Sequence, residues 1–73
     1  MEGAEFSKED LTEAKRQIAS TLHKLREAVK TLRAKAEPAR YRSQITLAEN
    51  RIRAFEIAEC LLEKELHSKN SHL

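Results

Sequence analysis

The sequence predicts an all-α fold: an antiparallel, coiled-coil-like two-helix hairpin with the surface to dimerise into a four-helix bundle. Three observations carry this. Glycine and proline occur once each among 73 residues that are 36% charged and 4% aromatic, a composition of long helices. Two stretches space their apolar residues by alternating steps of four and three, the heptad period of packed helices. The single proline, Pro38, falls between those stretches.

The first helix has a start signal. Ser7-Lys8-Glu9-Asp10 resembles a capping box: the Ser7 hydroxyl is placed to accept an early backbone N–H, and Asp10 stands where a reciprocal acceptor is wanted. Glu9, Asp10 and Glu13 suit the positive end of the helix dipole. Leu11, Ile18, Leu25 and Leu32 then take heptad position d, and Leu22, Val29 and Ala36 take position a, with Lys15 in the remaining a position. Nothing interrupts this pattern before Glu37, so a helix is predicted over 7–36.

The second helix repeats the pattern through Tyr41, Ile45, Ala48, Ile52, Phe55, Glu59, Leu62 and Leu66. Proline at the first helical position loses no hydrogen bond and forces Glu37 out of helical geometry. The turn is therefore placed at 37–38 and the second helix at 38–66, with residues 1–6 and 67–73 expected to be flexible. Capping chemistry is weak at Glu37, where Asn, Asp or Ser is more usual, which leaves the start of this helix open by a residue or two. Each helix has about 28 residues and a length of about 42 Å. So short a link requires them to run antiparallel.

Folding the chain at its turn sets Leu32 with Ile45, Leu25 with Ile52, Leu22 with Phe55 and Leu11 with Leu66. Val29 then lies beside Ala48, and Ala36 beside Tyr41. The two charged seam residues, Lys15 and Glu59, fall in neighbouring layers and are expected to pair and to fix the register. Arg26 is expected nearly opposite Glu49 at the seam edge.

Two surface features remain. Ala14, Thr21, Ala28 and Ala58 form an edge of small residues, interrupted nearer the turn by Lys35, Gln44 and Arg51. Leu47, Ala54, Ile57 and Leu61 form an apolar stripe on the outer face of the second helix, a spacing that implies burial against a partner. A homodimer or another helical protein is the expected partner. At the tip, Lys30, Arg33, Lys35, Arg40 and Arg42 stand against Glu37 alone. Arg40 and Arg42 sit at the wrong end of the second helix for its dipole, so the tip is a candidate anion site, with nucleic acid as an alternative partner. Tyr41, within that basic cluster, is assigned to the core before any stacking role. The open end is acidic, with Glu2, Glu5, Glu9, Asp10 and Glu13 beside Glu63 and Glu65.

Catalytic signals are missing. His23, His67 and His72 are scattered, Cys60 and His67 supply only two potential ligands on one helix face, and Glu56, Glu59 and Glu63 read as solvated or ion-paired. There is no glycine-rich phosphate loop, no nucleophile–base set and no H-E-x-x-H. The expectation is a non-enzymatic protein with no metal, cofactor or small-molecule substrate. A net charge of +2 does not by itself argue for nucleic acid. One cysteine, no apolar run near the roughly 18 residues of a membrane span, and no signal peptide lead to the expectation of a soluble, cytoplasmic protein.

The stretches Glu13-Ala14-Lys15-Arg16-Gln17-Ile18, Ser20-Thr21-Leu22-His23-Lys24-Leu25 and Arg40-Tyr41-Arg42-Ser43-Gln44-Ile45-Thr46-Leu47-Ala48 resemble those of short, uncharacterised bacterial proteins. Such proteins are encoded as predicted open reading frames in Gram-positive anaerobes. The likeness covers roughly Leu11 to Leu66. It implies a small bacterial cytoplasmic protein and carries no known activity, substrate or catalytic residue.

Overall fold

The computed structural model describes residues 5–35 and 37–70. The expected flexibility of residues 1–4 and 71–73, and the seam role of Ala36, lie outside them. The described chain is an all-α helical hairpin. Helix α1 spans Lys8–Arg33, a 3-10 turn spans Pro38–Tyr41, and helix α2 spans Arg42–Asn70. No strand occurs among the described residues. The shape is a rod, 55 × 23 × 14 Å along its principal axes.

The capping box forms as its residues predict. The Asp10 N–H donates to Ser7 Oγ at 3.0 Å, and the Ser7 N–H donates to Asp10 Oδ2 at 3.2 Å. Two of the four amide donors that a helix start leaves unpaired are thereby satisfied or balanced. At the other end α1 tightens rather than stopping abruptly. The Ala34 N–H donates to the carbonyls of Lys30 at 3.1 Å and Thr31 at 3.2 Å, and the Lys35 N–H donates to that of Leu32 at 3.3 Å. Lys30 and Arg33 in this last turn face the negative end of the dipole.

Three boundaries differ from the sequence expectation. Helix α1 ends at Arg33 rather than 36, and α2 begins at Arg42 rather than 38. Pro38 supplies no N–H and pushes Glu37 out of helical geometry, so α1 unwinds ahead of it and the chain makes one tight 3-10 turn before α2 begins. Residues from both helix ends are therefore spent on the link. Glu37 adopts φ −126°, ψ 77°, the non-helical geometry that the following proline demands, and its carbonyl accepts the Arg40 N–H at 3.0 Å. The third difference lies at the C-terminus, where α2 continues through His67, Ser68 and Lys69 to Asn70 instead of giving way to a tail at 67. No proline or glycine interrupts those residues, and His67 and Lys69 are favourable for the dipole there.

The seam is where the heptads place it. Leu11, Leu22 and Ala48 are buried, Leu22 most completely at 1% exposure. Every other described seam position, from Lys15 and Ile18 to Leu62 and Leu66, is half-buried. Antiparallel register is visible in two cross-helix ion pairs. Arg26 meets Glu56 at 2.9 Å, and Arg33 meets Glu49. A step of seven forward along α1 is matched by a step of seven back along α2, as a register without slippage requires.

Candidate functional site

Heptad geometry gives the hairpin two unlike edges, because positions e and g flank the seam on opposite sides. The e edge of α2 carries Glu49, Glu56 and Glu63, each seven residues from the next. All three are paired across the seam: Glu49 with Arg33, Glu56 with Arg26, and Glu63 with Lys15 at 3.1 Å. This edge is closed by charge.

Two expected pairs are thus replaced. Lys15 reaches Glu63, one turn beyond Glu59, and Glu59 makes no salt bridge among the described residues. Pairing on the seam itself would require both charges to leave water. At the edge Lys15 keeps its stem on the apolar seam while its ammonium stays hydrated. Arg26 likewise takes Glu56 rather than Glu49, and Glu49 is taken by Arg33.

The opposite, g edge carries Ala14, Thr21, Ala28 and Ala58, of which Ala14 and Ala58 are half-buried and Thr21 and Ala28 exposed. Heptad order places the c and f positions of α2 next to that edge. There stand Leu47 at 52% exposure, Ile57 at 48% and Leu61 at 59%, with Ala54 also exposed. The eight residues expected to form a partner surface therefore lie on one side of the rod.

Phe6 joins them, a residue the heptad argument misses because it precedes the helix. It is 60% exposed and lines a groove with Leu11, Ala14, Ala58, Leu61 and Leu62 at the open end. The available signal was its place directly before the Ser7 cap, where a hydrophobic residue commonly staples to the fourth helical residue, here Leu11. Glu5, Glu65 and Lys69 rim the same groove.

The tip residues do not form one site. Lys30 pairs with Glu27 at 3.4 Å, Arg33 is taken by Glu49, and the Lys35 ammonium stands 5.9 Å from the centre of the Tyr41 ring. Arg40 and Arg42 are exposed and make no salt bridge among the described residues. Tyr41 is half-buried, as a seam residue should be.

Other polar groups are accounted for locally. The Gln17 amide donates to Glu13 at 2.7 Å and the Arg16 guanidinium donates to both Glu13 oxygens, which together hold the Glu13 carboxyl below the usual carboxylate range. Cys60, Glu63 and His67 line one shallow depression beside Lys8 and Lys15, whose charges oppose a cation there. Among the described residues no three His, Cys, Asp or Glu side chains are grouped to hold a metal ion. No helix of the described residues is long and apolar enough to cross a membrane. Compared with known proteins, the chain matches no family model, no curated protein and no solved structure.

Proposed function

We propose that this chain is a small non-enzymatic interaction module that associates with itself through the apolar side of the hairpin. The observation that carries the reading is the asymmetry of the two edges. One is occupied by ion pairs, whereas Phe6, Leu47, Ile57 and Leu61 stand 48–60% exposed on the other side. A single seam with three buried side chains among the described residues is a thin core, and scaffolds of this size gain stability by oligomerising. Small residues at Ala14, Ala28 and Ala58 let a second pair of helices approach closely.

The test is the solution mass by light scattering after size exclusion, at low and high salt. A dimer that persists in high salt is expected, because apolar burial is not screened as charge pairs are. A monomer at all concentrations overturns self-association and turns the stripe toward a different helical protein. Arg40 and Arg42, exposed and without a salt bridge among the described residues, support a second reading, contact with nucleic-acid phosphates at the tip. That reading requires salt-sensitive binding weakened by Arg40→Ala and Arg42→Ala.

A further inference from the structure

We infer that two copies of this chain pack head to tail, with a two-fold axis passing near Ala54 of α2, so that the basic tip of each lies beside the acidic open end of the other. The inference rests on the self-association proposed above and adds its orientation. Leu47 and Leu61 stand seven residues before and after Ala54, at the same heptad position of α2. A two-fold axis at Ala54 sets each Leu47 against the other copy's Leu61, so the stripe is complementary to itself when reversed.

Charge selects this arrangement over the parallel one. The tip half, residues 21–56, holds nine Lys and Arg against four Asp and Glu, a net charge of plus five. The open half, residues 5–20 and 57–70, holds five against seven, a net charge of minus two. Three of the four tip-half carboxylates, Glu27, Glu49 and Glu56, are already paired within the chain. The remaining one is Glu37. Lys24, Lys35, Arg40, Arg42, Arg51 and Arg53 therefore have no carboxylate partner among the described residues. Parallel packing stacks those cations on their own copies. Reversed packing brings Lys35 and Arg40 level with the last turns of the other copy's α2, near the groove rim that Glu5 and Glu65 share with Lys69. The tip half of each copy, net plus five, then lies along the open half of the other, net minus two, and the apolar stripe meets itself between them.

A distance measurement decides the orientation. Ala39 and Cys60 are both exposed, so Cys60→Ser with Ala39→Cys gives one labelling site at the tip without disturbing the seam. Ala39 lies fifteen residues from Ala54, which at 1.5 Å per residue puts two nitroxide labels about 45 Å apart in the reversed dimer. In a parallel dimer neighbouring helices are roughly 8–10 Å apart, and the labels fall within about 20 Å. Pulsed dipolar spectroscopy is expected to return the long distance. A dimeric mass with the short distance overturns the orientation and leaves self-association standing. A monomeric mass overturns both.

Discussion

Replacing Leu61 by Glu is the sharpest perturbation of the apolar side. In the isolated hairpin Leu61 is 59% exposed, so over half of its surface remains to be covered by a partner. Full burial of a leucine side chain stabilises by about 2 kcal/mol, so covering the remainder contributes about 1 kcal/mol per copy. A two-fold interface contains the residue twice, and Leu61→Glu therefore removes about 2 kcal/mol before any cost of placing a carboxylate there. At 1.4 kcal/mol per factor of ten, the dimer dissociation constant rises about thirtyfold or more. Leu47, 52% exposed, contributes on the same scale, and the double substitution Leu47→Glu with Leu61→Glu weakens the dimer by about a thousandfold. Sedimentation equilibrium over a concentration series reads the constant. Far-UV circular dichroism, taken in parallel at matched concentration, confirms that the helices survive. A dissociation constant within threefold of the parent, with helicity intact, would refute the reasoning, because it would show that the stripe remains in water.

Three further outcomes are expected. Leu22→Ala removes the most deeply buried side chain and leaves a cavity in a thin core, costing about 2–5 kcal/mol; thermal melting followed at 222 nm should show a large drop in midpoint, and an unchanged midpoint would sink the assigned seam. Glu59→Leu replaces a half-buried carboxylate that has no salt bridge among the described residues, and chemical denaturation should show a gain of about 1 kcal/mol; a loss would mean that Glu59, and not Glu63, is the working partner of Lys15. Gln17 and Arg16 depress the Glu13 carboxyl, so its stabilising contribution is present above the unfolded value and is lost as pH falls through the folded one. Carbon-13 NMR of the Glu13 carboxyl should place its titration below the ordinary glutamate value, and Gln17→Ala should raise it; an ordinary titration in the parent chain would count against those hydrogen bonds.

Much of the architecture is legible in one dimension because heptad spacing is a statement about three. A residue every three or four positions defines a helix face, and Pro38 between two such faces leaves only a hairpin to bury them. The Ser7 capping box is local in the same sense, since its partners are three residues apart. Side-chain pairing across the seam was less legible. Lys15 and Glu59 fall in adjacent layers on paper, but a long side chain minimises desolvation by leaving the seam, and which neighbour it finds depends on where the edge of the other helix stands. Link length escaped the pattern as well. The end of α1 at Arg33 and the 3-10 turn before α2 follow from how the backbone settles around Pro38, which heptad spacing does not carry.

The sequence by itself determined two helices, their antiparallel order, the seam and the apolar stripe of Leu47, Ala54, Ile57 and Leu61, because all of these follow from periodicity and one proline. Only the tertiary structure decided that Glu49, Glu56 and Glu63 close one edge with charge while Phe6 joins the stripe on the other side. Those facts depend on the relative rotation and register of two packed helices, and on a residue outside any helical repeat, so they exist only once the chain has folded back on itself.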